Sequence, residues 1–250
     1  MFFKKNMKNK IIGIIPARYN SSRFLGKLLY KIGSKTLLEH TYLNAKKCLL
    51  FDELYVATED AAIEKIVKDF NGKSIMTKIC SNGTHRIIEA LKNNPQLQKS
   101  DIIVNIQGDH PKILPNTINE TINILLNDRE AVASTAVTKI GFDIAQSKNI
   151  VKCTLDKNQN ALYFSRSLIP FSKKPESIDY FYHIGLYAYK RTFLSKLDGL
   201  EDTNLQKIED LEQLKILEHG YKMKVAIVDD MPYGVDVLED VKKVEKVLCQ

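Results

Sequence analysis

Tryptophan is absent, cysteine occurs only four times, and no apolar run approaches the roughly 20 residues that span a bilayer. Nothing follows from the missing tryptophan. The cysteines (Cys48, Cys80, Cys153, Cys249) are scattered without a C-x-x-C. That spacing suggests neither a zinc site nor a disulfide framework, and they read as buried or incidental thiols. The apolar stretch 11–15 is too short for a signal-peptide core, so the expectation is a cytoplasmic protein. Also missing are G-x-x-x-x-G-K-[ST], G-x-G-x-x-G, H-x-x-x-H, H-E-x-x-H and G-x-S-x-G. Their absence argues against a Walker loop, a dinucleotide fingerprint, a zinc centre and a serine hydrolase. No RGG tract, finger spacing or aromatic-basic RNP pattern supports nucleic-acid binding.

What is present suits a globular chain. Hydrophobic residues make up 44% and charged residues 27% of 250, which excludes a disordered or collagen-like polymer. Lys and Arg outnumber Asp and Glu by 37 to 30, a formal charge of +7. An anionic partner would suit that excess, and so would a simple solubility charge. Part of it is local, because MFFKKNMKNK carries four lysines and no acid and reads as a basic tail over residues 1–10.

Short apolar strands alternate with amphipathic helices. Strands are expected at 11–17, 53–58, 73–76 and 101–106, with helices at 36–49, 60–70, 83–93 and 115–126. Ser34 or Thr36 would cap the first helix. This rhythm predicts an α/β fold, a mostly parallel central sheet with helices on both faces. The second half is richer in strands, at 131–138, 150–155, 161–165, 182–189 and 223–228. Helices are expected at 208–219 and 237–248. In the first of these Ile208, Leu211, Leu214 and Leu217 would share one buried face. One domain over 1–250, with an elaboration over about 139–220, accounts for the pattern.

Four segments could carry chemistry. PARYNSSRFLGK (16–27) follows the first strand, at the carboxyl end of a parallel sheet, where ligands bind in such folds. It offers Arg18, Arg23 and Lys27 as cations, Ser21 and Ser22 as hydroxyls, and Gly26 for close backbone approach, a mix suited to phosphate oxygens. In QGDHP (107–111), Asp109 follows a buried strand. It could ligate Mg²⁺ beside phosphates or merely cap a turn. In YGVDVLED (233–240), Asp236 could be a second metal carboxylate, or an N-cap with Glu239 completing a capping box. CSNGTHR (80–86) places small polar groups at a helix start, as a ligand site or an ordinary cap.

Together PARYNSSRFLGK, NGTHR, NIQGDHP, ALYFSRSLIP, YHIGLYAYK, IEDLEQLKILEHG and GVDVLED resemble, in order and approximate spacing, the 3-deoxy-manno-octulosonate (Kdo) cytidylyltransferases. The resemblance runs from about residue 11 to residue 248. It implies a Rossmann-like nucleotide-diphospho-sugar transferase fold with a dimerisation and sugar-binding elaboration, and a homodimer. It implies transfer of CMP from CTP to the anomeric hydroxyl of Kdo, with Mg²⁺ and release of pyrophosphate. By the same resemblance, Ala17, Arg18, Ser22, Arg23, Lys27, Ser81, Gly83, Thr84, Arg86 and Gln107 would bind CTP. Gln107, Arg166, His183, Tyr187, Glu212 and Gln213 would bind the sugar acid, whose carboxylate an Arg and a His would suit. Asp109 and Asp236 would hold the metal. Arg18, Arg23 and Lys27 would act with them in catalysis by stabilising the departing pyrophosphate.

Three positions depart from the family pattern: Leu25 where Pro is common, and His85 and His110 where acids are common. The two histidines leave open a related sugar acid such as an 8-amino Kdo. A cytidylyltransferase for another sugar, or a non-catalytic nucleotide-binding relative, is the competing reading. The pair Asp109 and Asp236 separates them, since a protein that only binds has no use for both.

Overall fold

The computed structural model describes residues 9–20, 24–231 and 233–248. The first half winds as β1 (Ile11–Pro16), a small hairpin of β2 (Lys31–Ile32) and β3 (Lys35–Thr36), α1 (Leu37–Ala45), β4 (Glu53–Thr58), α2 (Ala61–Asp69), β5 (Ser74–Met76), α3 (Gly83–Asn93), α4 (Pro95–Gln98), β6 (Ile102–Asn105) and α5 (Pro115–Leu126). The second half adds β7 (Ala133–Ile140), α6 (Phe142–Ala145), β8 (Lys152–Leu155), β9 (Ala161–Ser165), β10 (Tyr180–Lys190), α7 (Arg191–Leu197), α8 (Asn204–Glu209), α9 (Gln213–Glu218), β11 (Met223–Val228) and α10 (Leu238–Leu248).

The main sheet runs β11-β7-β10-β6-β1-β4-β5. All pairs on this path are parallel except the two made by β10, which lies antiparallel between β6 and β7. The β8–β9 hairpin joins through β8 to β10. Strands at the centre are apolar on both faces because each face is covered. Ile11, Ile15, Val104 and Ala188 pack into one core with α1, α2 and α5. Ile12, Ile14, Ile103 and Tyr189 pack into the other with α3, α7 and α9. The helix starts follow local chemistry. Thr36 caps α1 by accepting from Glu39 N at 3.1 Å, and Asp60 caps α2 through Ala62 N and Ile63 N.

One expected element is divided. The helix predicted over 208–219 breaks into α8 and α9 at Asp210, whose φ is +54°. A capping box from Thr203 and Gln206 opens α8. The break turns Ile208 outward, 79% exposed, while Leu211 and Leu214 stay buried. It also aims residues 210–213 at the sheet's carboxyl edge. Helix α7 was not legible in the sequence. The basic tail lies outside the described residues except for Asn9 and Lys10, and Cys249 lies outside them too. Cys48 and Cys153 are free and buried, and Cys80 is half-buried.

Lys152 is fully buried, and its ammonium donates to the carbonyls of Ser147, Ile150 and Arg166 at 2.9, 2.7 and 2.6 Å. It thereby ties the loop before β8 to the end of β9. Asp128 fastens the turn into β7, accepting from Glu130 N, Ala131 N and Lys222 Nζ, the last at 2.7 Å. Chiefly the Lys222 ammonium holds its carboxyl down at about 2, against an ordinary 3.8. A depressed carboxyl stabilises the fold above its unfolded value and loses that contribution as pH falls through the folded one. Asp128→Asn should therefore cost about 1 kcal/mol at pH 7. Denaturant titrations should show the gap from wild type closing as pH falls from about 4 to about 2. A gap independent of pH would contradict the ion pair's role.

Candidate active site at the carboxyl edge of the sheet

The carboxyl ends of β1 and β6 open on a cavity of about 380 Å³. Pro16, Ala17 and Arg18 leave β1 along one wall. Gly26, at φ +67°, closes the following loop by donating its N–H to Tyr19 O at 3.0 Å. Its left-handed backbone would strain any side chain. The turn delivers Lys27 into the cavity, with its side chain 12% exposed.

The start of α3 forms the next wall. Asn82 caps it by accepting from His85 N at 2.8 Å. A Cβ on Gly83 would stand 3.1 Å from Pro16, so glycine lets the helix start approach β1. Thr84 and Arg86 follow into the wall. Arg86 is buried, ion-paired with Glu59 and hydrogen-bonded to Thr77 at 2.8 Å, so its charge is committed within the protein. Ser81 does not line this cavity. It packs with His85 (Oγ to Nδ1 2.5 Å) beside an adjoining cavity of about 240 Å³ that shares Asn82, Thr84 and Glu212.

The third wall follows β6, where Asn105, Gln107, Gly108 and Asp109 line the cavity. Lys27 Nζ donates to Asp109 Oδ2 at 2.5 Å and to Val235 O at 2.9 Å, and stands 3.5 Å from Asp236 Oδ1. One ammonium thus joins two carboxylates that are 127 residues apart in sequence (109 and 236). Burial alone would push the Asp109 carboxyl up, but His110 and Lys27 outweigh it and hold the group below its ordinary value. Asp240, in the first turn of α10, accepts from Asp236 N and Val237 N at 3.1 and 3.2 Å and so ties the segment that carries Asp236 to the helix start.

The fourth wall comes from β10 and the α8–α9 break: Tyr187, Tyr189, Asp210, Leu211, Glu212 and Gln213. The Tyr187 hydroxyl donates to Gln213 Oε1 at 3.1 Å. Burial raises the Glu212 carboxyl above its usual range, the Thr84 hydroxyl offsetting part of that.

Of the residues predicted from sequence, the cavity brings together Ala17, Arg18, Lys27, Gly83, Thr84, Arg86, Gln107, Asp109, Tyr187, Glu212, Gln213 and Asp236. Ser22 and Arg23 lie outside the described residues. Two others stand behind the walls. His183 is buried, with Nε2 2.9 Å from Thr135 Oγ1, and the same oxygen donates to Leu186 O at 2.7 Å where the β10 register shifts against β7. Burial, then His110, lowers the His183 imidazole to about 3. Burial thus favours the neutral imidazole, and the ring stands behind the cavity wall rather than on it. Arg166 donates to Glu209 O at 3.0 Å and Asp210 O at 3.4 Å, so it braces the break rather than lining the cavity.

The sequence reading missed Asn105, Tyr189 and Asp210. Asn105 carried a signal, a polar residue inside an apolar strand. Neither His85 nor His110 lines the main cavity. His110 Nε2 stands 4.0 Å from Asp109 Oδ1, and His85 lines the adjoining one.

Comparison with known proteins places these features in a lineage. The family profile described as cytidylyltransferase matches residues 12–225. A 3-deoxy-manno-octulosonate cytidylyltransferase of Protochlamydia amoebophila is 49% identical, over 98% of this chain and 96% of its own. A mitochondrial 3-deoxy-manno-octulosonate cytidylyltransferase of Arabidopsis thaliana is 42% identical, over 98% of this chain and 85% of its own. A solved structure of CMP:2-keto-3-deoxy-manno-octonic acid synthetase complexed with CTP superposes with a TM-score of 0.91 at 34% identity, covering 97% of this chain and 99% of the other.

Proposed function

The chain belongs to the 3-deoxy-manno-octulosonate cytidylyltransferase family, and from that premise we propose how its residues perform the transfer of CMP from CTP to Kdo. The anomeric hydroxyl oxygen of the sugar attacks the α-phosphorus of CTP. A new oxygen–phosphorus bond forms, the bond from the α-phosphorus to the α,β-bridging oxygen breaks, pyrophosphate leaves with that electron pair, and the hydroxyl proton passes to solvent. Phosphoryl transfer of this kind is governed by positioning and charge neutralisation.

The observation that carries the reading is the Asp109–Lys27–Asp236 cluster in a cavity whose remaining walls are a helix start and a polar face that includes Asp210 and Glu212. Arg18 and Lys27 would face the phosphates on the β1 side, with Arg23 from the same loop. Gly83 and Thr84 would meet the nucleoside at the start of α3, and Arg86 would hold that start in place through Glu59. Gln107, Tyr187, Glu212 and Gln213 would surround the sugar acid, and Arg166 and His183 would position that wall from behind.

The residues fit a divalent cation. Asp109 and Asp236 already share one positive charge, and both offer the oxygen ligands that Mg²⁺ takes. Among the described residues no three His, Cys, Asp or Glu side chains converge, so substrate oxygens would complete the ligand set. Magnesium bound there would supply charge to favour the ionised sugar hydroxyl and offset the phosphates.

We also propose a homodimer. Leu162 on β9, with Leu168 and Phe171 just after it, presents apolar side chains to solvent beside the outer hairpin. No helix of the described residues is long and apolar enough to cross a membrane.

Pyrophosphate release with CTP and Mg²⁺, run in parallel with Kdo, 8-amino-Kdo and N-acetylneuraminate and with UTP as control, tests the reading. Release with CTP and Kdo is expected. Release with the amino sugar alone would move the substrate to that acid. A protein that binds CTP and stays silent with every sugar would be a non-catalytic relative.

A further inference from the structure

Asn105 ends β6, with Ile14 of β1 on one side and Tyr187 of β10 on the other. It is 1% exposed, and among the described residues its Oδ1 has no hydrogen-bond partner. Buried carboxamides are ordinarily paired, so an orphaned one on a cavity wall points to a group that arrives there. Gln213 repeats the pattern across the same space. Its Oε1 is taken by the Tyr187 hydroxyl, while its Nε2 is buried and has no partner among the described residues. The wall therefore offers one unused acceptor and one unused donor, bracketing Tyr187, and neither is charged.

The cations Arg18 and Lys27 lie on the β1 side of the cavity, while the charged groups near Gln213 are the acids Asp210 and Glu212, which do not favour an anion there. A carboxylate or phosphate cannot donate to an amide oxygen. A hydroxyl can donate to Asn105 Oδ1 and accept from Gln213 Nε2. We propose that Asn105 is a substrate-contacting residue that receives a hydroxyl of the sugar acid and selects sugars that carry one there. The proposal rests on the sugar-acid reading above.

Asn105→Leu keeps the side chain's size and removes its polar atoms. kcat/KM for the sugar acid should fall by about tenfold or more, because a site built around a hydroxyl loses its discrimination when the partner is removed. KM for CTP should stay within about twofold. The melting temperature without substrates should hold or rise, since the variant no longer buries an orphaned amide. Asn105→Ala, with the same sugar-selective loss expected, covers the case in which leucine does not fit. Unchanged sugar kinetics in either folded variant would overturn the assignment. A rise confined to KM for CTP would overturn it in favour of a ribose hydroxyl. Wild-type protein assayed alongside separates the causes: if it is silent with every sugar acid, the parent reading fails, whereas an active wild type with unaffected variants sinks this proposal alone.

Discussion

Asp109→Asn is expected to lower kcat by about 100-fold or more while changing CTP affinity by less than about threefold. The substitution keeps the size and hydrogen-bonding shape of the side chain and removes one charge. That charge is built to persist. Against the upward push of burial, His110 and Lys27 hold the Asp109 carboxyl ionised well into the acid range. On the proposed reading other residues hold the nucleotide, Arg18 and Lys27 at its phosphates and the start of α3 at its nucleoside, so it should still bind. Calorimetric CTP binding beside steady-state kinetics checks the split. Equal losses in both would mean that Asp109 only holds the nucleotide, and would remove its proposed place in catalysis.

Lys27→Met should be nearly as damaging, by about 100-fold in kcat/KM, and should carry a signature that simple unfolding does not. Lys27 contacts both Asp109 and Asp236, and it also holds Val235 O. Removing it takes away a charge and a hydrogen bond that lower the Asp109 carboxyl, leaving burial and His110 to oppose each other. The carboxyl then rises. Because the ionised form is the useful one and is lost as pH falls through its titration, the acid limb of the pH–rate profile should move to higher pH. Lys27→Arg, which keeps the charge, should shift it less. An acid limb unmoved in Lys27→Met would contradict the link between lysine and carboxylate.

Much of the frame was legible because local chemistry and tertiary demand agree there. The expected bounds of β4, α3, α5, β9 and β11 coincide with the observed ones. In α3 and α5 the apolar period matches the face the helix buries, and Asn82 or Pro115 marks the helix start. The 208–219 segment was not legible, because its apolar spacing is as good for one helix as for two. The break rests on Asp210 entering left-handed backbone, with Arg166 holding the carbonyls on either side of its peptide unit. That contact joins residues 44 positions apart and leaves no local trace.

The site divides in the same way. Asp109 and Lys27 sit where a strand ends, a place sequence can point to. That Lys27 joins Asp109 to Asp236 required the fold. Asp236 reads more readily as a helix cap until the fold sets it 3.5 Å from the ammonium that also holds Asp109. The family resemblance implies His183 at the sugar acid, whereas the fold sets its ring behind the cavity wall. Burial against Thr135 makes it neutral structure. Asn105 was passed over because a single polar residue in a buried strand draws attention only once its missing partner is visible.

The central claim is that this chain joins CMP to a Kdo-type sugar acid. Its most direct test is the mass of the product formed when purified protein is given CTP, Kdo and Mg²⁺. A CMP–Kdo conjugate, appearing in step with one pyrophosphate for each CTP consumed, is the predicted result. CTP bound but recovered intact, or hydrolysed to CMP and pyrophosphate without the conjugate, would contradict it.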